Sequence, residues 1–84
     1  MEDTLNRNLF RLTTIMVAAG ISESRIGRSA IKNARIFDHI RGGGGYTVRT
    51  YDGIVQWVSD HWPADLKWPA DIERPAPKEI KDGE

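Results

Sequence analysis

The stretch Ile21–Gly43, ISESRIGRSAIKNARIFDHIRGG, decides how the rest of the chain is read. Ser22 is a good N-cap, and Glu23 in the turn after it is favoured by the helix dipole. Ile21, one residue ahead of the cap, is placed to pack back onto the helix as a staple. Ile26 and Ala30 then form a short apolar stripe, with Arg25, Arg28 and Ser29 outside it. Gly27 in mid-helix costs about 1 kcal/mol relative to alanine, a loss that makes sense where another helix crosses too closely for a side chain. A second helix is expected from Asn33, also a good N-cap. Its inward face is Phe37 and Ile40, with Ile36 at the margin. Ala34, Arg35, Asp38 and His39 look outward. The whole stretch therefore reads as two short helices joined by a tight turn, with mostly basic charges off the apolar seam.

Outward from that centre the chain supplies support. Before it, Leu5, Leu9, Leu12, Met16 and Ala19 recur at helical spacing and predict a helix from about Thr4 to Ala19. Asp3 or Thr4 is its expected cap, and Gly20 a left-handed stop. Asn6, Arg7, Asn8, Arg11, Thr13 and Thr14 are expected on its solvent side. After the centre, Gly42–Gly45 end the second short helix and give a flexible loop. This glycine run is not a phosphate-binding loop, because no strand precedes it and the GK[ST] ending is missing. Thr47 caps a further helix over Val48–His61, whose stripe is Tyr51, Ile54, Val55, Val58 and Trp62, and Pro63 ends it. Trp57 falls off the stripe and is expected to be exposed on a partner surface.

The remainder carries an internal repeat: Trp62-Pro63-Ala64-Asp65-Leu66-Lys67 is followed at once by Trp68-Pro69-Ala70-Asp71-Ile72-Glu73. Its prolines exclude a long helix. Its apolar residues call for a docking surface, on the chain's own helices or on a second subunit. The last seven residues, KEIKDGE, are expected to be disordered.

Eighty-four residues amount to one domain. The fold class is all-α: a compact domain of four or five helices over residues 1–62, with a Pro/Trp-rich tail over 63–84. The zero net charge hides an asymmetry. Residues 1–51 carry eight Arg or Lys against four acids, and residues 52–84 carry four against eight. A basic front suits contact with phosphate. The chain has no cysteine and two histidines, so no thiolate metal site is available and no metal or cofactor is expected. No apolar run approaches the ~20 residues of a membrane span, and MEDTLNRN lacks the features of a signal peptide, so a cytoplasmic protein without membrane contact is expected. No nucleophile–base pair or carboxylate pair stands out, which argues against an enzyme.

The order Ile26-Gly27, Ala30, Phe37, Ile40, with a helix before, a glycine-closed loop after and an amphipathic helix beyond, resembles helix-turn-helix proteins of the Cro/phage-repressor (XRE-like) type over residues 5–62. The family usually has glycine where this chain has Ile31, and an apolar residue where it has Lys32. Asn33 is then the expected supplier of the unusual backbone angle. The resemblance implies a recognition helix in the DNA major groove, with Asn33, Arg35 and His39 facing base edges or phosphates and Lys32 and Asp38 at the margins. It likewise implies backbone contacts from Ser22, Ser24, Arg25 and Arg28, joined by Thr47 and Arg49. One such module reads few base pairs. The expectation is a homodimer on an inverted repeat of double-stranded DNA, paired through Trp57, Trp62 and Trp68, acting as a repressor or autoregulator of bacterial or phage type. The alternative is a module of the same fold that captures another regulatory protein, as an antiactivator does.

Overall fold

Among the described residues, 2–75 in this computed structural model, four α-helices and no strand are formed. Side chains are described from Thr4 onward; the KEIKDGE ending lies outside the described residues. Helix α1 spans Glu2–Ala18 and ends as its sequence predicts. Gly20 takes φ 97°, and the Ile21 and Gly20 N–H groups turn back to the carbonyls of Met16 and Val17. Leu9, Leu12 and Met16 are fully buried, whereas Ala19 at the end of the expected stripe is exposed.

The solvent side of α1 is narrower than its sequence suggests. Thr13 is buried, and Asn6 and Asn8 are half-buried beneath two tyrosines that follow in the chain. Tyr46 donates to Asn6 Oδ1, and Asn8 Nδ2 donates to the Tyr51 hydroxyl at 3.1 Å. Asn6 and Asn8 face inward because each finds a hydrogen bond there, which offsets the cost of leaving water.

Helix α2 spans Glu23–Ile31, capped by Ser22, whose Oγ accepts the Arg25 N–H at 3.1 Å. Its end differs from expectation. Lys32, not Asn33, takes the left-handed conformation at φ 58° and ψ 35°, and it brings the Asn33 N–H onto the Gly27 carbonyl at 3.0 Å. Asn33 instead uses its side chain, with Oδ1 accepting the Arg35 N–H at 3.1 Å. This turn consumes residues 33–35. Helix α3 is therefore shorter than predicted and spans Ile36–Arg41. All three of its apolar residues are buried, Ile36 included.

Gly27 has its predicted reason. A Cβ there would collide with the Asn33 carbonyl oxygen and stand 2.8 Å from Ile36 Cγ2. The close neighbour is thus the turn and the start of α3. Helix α4 spans Val48–Asp60, with Thr47 Oγ1 accepting the Thr50 N–H at 3.2 Å. It packs most extensively on α2 and next on α1.

The core runs through all four helices and does not stop at residue 62. Trp62, at 9% exposure, and Ile72, at 2%, belong to it together with Leu9, Ile26, Phe37 and Ile54. The boundary expected after residue 62 therefore cuts through a packed unit. The two halves of the repeat make the same turn twice. Trp62 Nε1 donates to the Leu66 carbonyl at 2.8 Å, and Trp68 Nε1 to the Ile72 carbonyl at 2.7 Å. The two indoles meet edge to face at 4.8 Å. Arg11 pairs with Asp71 at 2.5 Å, and Arg74 lies over the Trp68 ring while bonding Ser59 Oγ and its carbonyl at 3.0 Å. The tail through Pro75 docks on its own helices.

Candidate nucleic-acid interface

On α2, Arg25 and Arg28 are three apart and Ser29 adjoins them, so all three share the side opposite Ile26 and Gly27. Arg25, Arg28, Lys32, Arg35 and Arg49 are exposed, and no carboxylate pairs with any of them among the described residues. Arg7 on α1 is also exposed without an ion pair among the described residues, but Arg41 and Arg11 are used differently. Arg41 grips Glu23 through both guanidinium nitrogens, reaches Asp38 at 3.4 Å and lies 5.0 Å from the centre of the Phe10 ring. The Arg41 hydrogen bonds hold the Glu23 carboxyl below its usual range. Arg11 likewise lowers Asp71. The split leaves five solvated positive charges on the outer side of α2, the turn and the start of α4.

Between that turn and α4 lies an open cleft of about 530 Å³, lined by Ile31, Asn33, Arg35, His39, Thr47 and Thr50 among others. Four residues singled out from the sequence, Asn33, Arg35, His39 and Thr47, are thereby brought together although they span fifteen positions. Their freedom differs. The Arg35 guanidinium has no ion pair among the described residues. The Asn33 oxygen is engaged with the backbone, so its amide N–H groups remain for another acceptor. His39 donates from Nε2 to the Gly45 carbonyl at 2.9 Å, and its ring covers Gly44 so closely that a Cβ there would overlap it. His39, expected to look outward toward base edges or phosphates, is exposed, and its ring also closes the glycine loop. Together with Gly43 at φ 93° and the Gly44 N–H on the His39 carbonyl, the ring fixes the course of that loop, which the sequence suggested to be flexible. Asp38 is taken up beside Arg41. Ser22 and Thr47 are occupied as helix caps, and Ser24 is exposed.

The tryptophans are not a free surface. Trp57, expected to be exposed, is half-buried against the core and stacks on the His61 ring at 4.0 Å. Trp62 is buried and Trp68 half-buried on top of it. Sequence reading missed the Glu23–Arg41 clamp and the tyrosine–asparagine pairs. Their partners lie eighteen to forty-three residues apart, and no local pattern announces them.

Among the described residues no three His, Asp or Glu gather where a metal ion could be held, and no helix is long and apolar enough to cross a membrane. Compared with known proteins, the chain matches no family model, no curated protein and no solved structure.

Proposed function

We propose that the protein binds double-stranded DNA as a helix-turn-helix transcriptional regulator, a repressor or autoregulator of phage or mobile-element type that acts as a pair on an inverted-repeat operator. The observation that carries this reading is the set of five exposed, unpaired cations on α2, its following turn and the start of α4. In a molecule of zero net charge that can pair its cations internally, a cluster left unpaired on one stretch suits an external polyanion. Arg25, Arg28, Lys32 and Arg49 hold phosphates, and Arg35 reaches base edges from the cleft, where a guanidinium pairs bidentately with guanine. Asn33 offers its amide N–H groups beside it. His39 acts indirectly, its ring holding the glycine loop where Gly45 lines the cleft.

The antiactivator alternative drew on the acidic back half and on exposed tryptophans; Trp62 and Trp68 are occupied within the chain, which removes the second of these supports.

The test is a fluorescence-anisotropy titration with fragments of the source genome at ~50 mM salt, repeated as salt rises. The logarithm of the binding constant is expected to fall steeply against log salt, and Arg28→Ala is expected to reduce the slope by about one without changing sequence preference. Arg35→Ala is expected to lower preference for the best site over random DNA. If no fragment binds at low salt, or if neither substitution changes binding, the reading fails.

A further inference from the structure

With the tryptophans occupied, the large apolar side chains exposed among the described residues are Val17 at 46%, Val48 at 65% and Leu66 at 36%. Val48 lies between Thr47 and Arg49 and belongs to the basic side. Leu66 belongs to a different place. It forms one wall of an open cleft of about 550 Å³ whose other wall is the end of α1, at Thr14, Ile15, Ala18 and Ala19. The Thr14 hydroxyl donates to the Phe10 carbonyl at 2.7 Å, so it does not need a partner from outside. Small side chains on one wall and a protruding leucine on the other make a hole beside a knob.

We infer that this cleft is where a second copy of the chain docks, two-fold related, with Leu66 of each copy packed against the end of α1 of the other. Two arguments of charge select that occupant. A two-fold contact sets a surface against itself, so a face of one sign repels its own copy. That excludes the cleft beside Arg35 and the groove that carries Asp52 and Glu73. The α1 cleft has one charged lining residue, Asp65, and the chain there runs Asp65-Leu66-Lys67. Asp65 and Lys67 are exposed and have no ion pair among the described residues. Laid antiparallel on its own copy about an axis beside Leu66, this tripeptide sets each Asp65 opposite the other copy's Lys67. The surface is thus complementary to itself in shape and in sign.

This partner deepens the reading of a paired DNA-binding module, yet its test needs no DNA. Sedimentation of the full chain at rising concentration is expected to give a dimer. Leu66→Asp, at an exposed position, is expected to give a monomer with unchanged helix content and the melting temperature that the native chain shows when diluted to a monomer. Asp65→Lys alone is expected to weaken pairing at least tenfold, and the swap D65K/K67D to restore it. Because the chain has no cysteine, Leu66→Cys supplies a single thiol, expected to resist maleimide only at concentrations where the dimer forms. A monomer at every concentration overturns the proposal, as does a dimer indifferent to Leu66→Asp and to the charge swap. Protection of that thiol in a monomer also overturns it, since the chain would then cover the cleft itself. A dimer that binds no DNA removes the regulator reading and leaves this surface standing; a monomer that binds DNA does the reverse.

Discussion

Thr13 is a polar residue in a place built for an apolar one. At 1% exposure it lies on the buried side of α1 with Leu9, Leu12 and Met16, and its Oγ1 makes no hydrogen bond among the described residues. A buried hydroxyl without a partner costs about 1–3 kcal/mol, and valine has nearly the same shape without the hydroxyl. Thr13→Val is accordingly expected to raise stability by about 1 kcal/mol in urea unfolding; a lower midpoint would mean that the hydroxyl is satisfied. Lys32 carries a second local cost. Its left-handed backbone is open to glycine without penalty and costs other residues about 1 kcal/mol. Lys32→Gly should therefore unfold at a higher denaturant concentration, by roughly 0.5–1 kcal/mol, while the lost charge reduces the salt dependence of DNA binding by about one. Opposite signs for stability and binding are the signature to look for. If both fall together, Lys32 is not a strained residue retained for its charge.

At the scale of the element, α2 and α3 are too short to hold their mutual angle alone, and the Glu23–Arg41 pair ties the first turn of one to the last turn of the other. The Arg41 hydrogen bonds lower the Glu23 pKa in the folded chain. A carboxyl with a depressed folded pKa contributes stability that is fully present above its unfolded value and is lost as pH falls through the folded one. The melting temperature of the native chain should thus exceed that of Glu23→Gln at pH 7, and the gap should close as pH drops below roughly 4. The pair is partly solvent-exposed, so the gap is small, on the order of 0.5 kcal/mol after solvent screening. A gap independent of pH would show that the substitution acts through packing. This clamp also marks the limit of what the sequence alone reveals. The caps Ser22 and Thr47, the Gly20 stop and the stripe of α4 follow from neighbours within four residues, and they stand as read. The start of α3 moved because Lys32 took the angle assigned to Asn33, a choice between two adjacent residues that spacing does not settle. The inward turn of Asn6 and Asn8 depends on tyrosines forty or more residues away. Within the candidate interface, Asn33, Arg35, His39 and Thr47 were identifiable as polar residues around one turn. That His39 closes the glycine loop was not, since it rests on a backbone carbonyl.

At the scale of the whole molecule, the question is whether residues 63–75 form part of the domain or merely follow it. Ile72 answers through its surroundings: it is 2% exposed and belongs to the same core as Leu9, Leu12 and Val58. The segment that carries it is fastened at Arg11–Asp71 and at Arg74–Ser59, with the two indoles packed between them. A small domain buries a limited share of its surface, so one aliphatic side chain is a large fraction of its core. Ile72→Ala removes buried methyl groups and leaves a cavity, at a cost of about 2–4 kcal/mol. Net stabilities of 5–15 kcal/mol are usual, and a loss of that size is enough to bring a small domain close to unfolding. The expected result is a fall in the urea midpoint with one cooperative transition, seen alike in helix content and in tryptophan fluorescence. Leu66→Ala, the matching position of the first repeat, is expected to lower the midpoint of the monomer much less, because that leucine is 36% exposed against 2% for Ile72. Had the repeat been an appended tail, the two substitutions would behave alike and both would be silent. The contrast between them separates its two functions: the second unit completes the core, and the first leaves a leucine for another molecule.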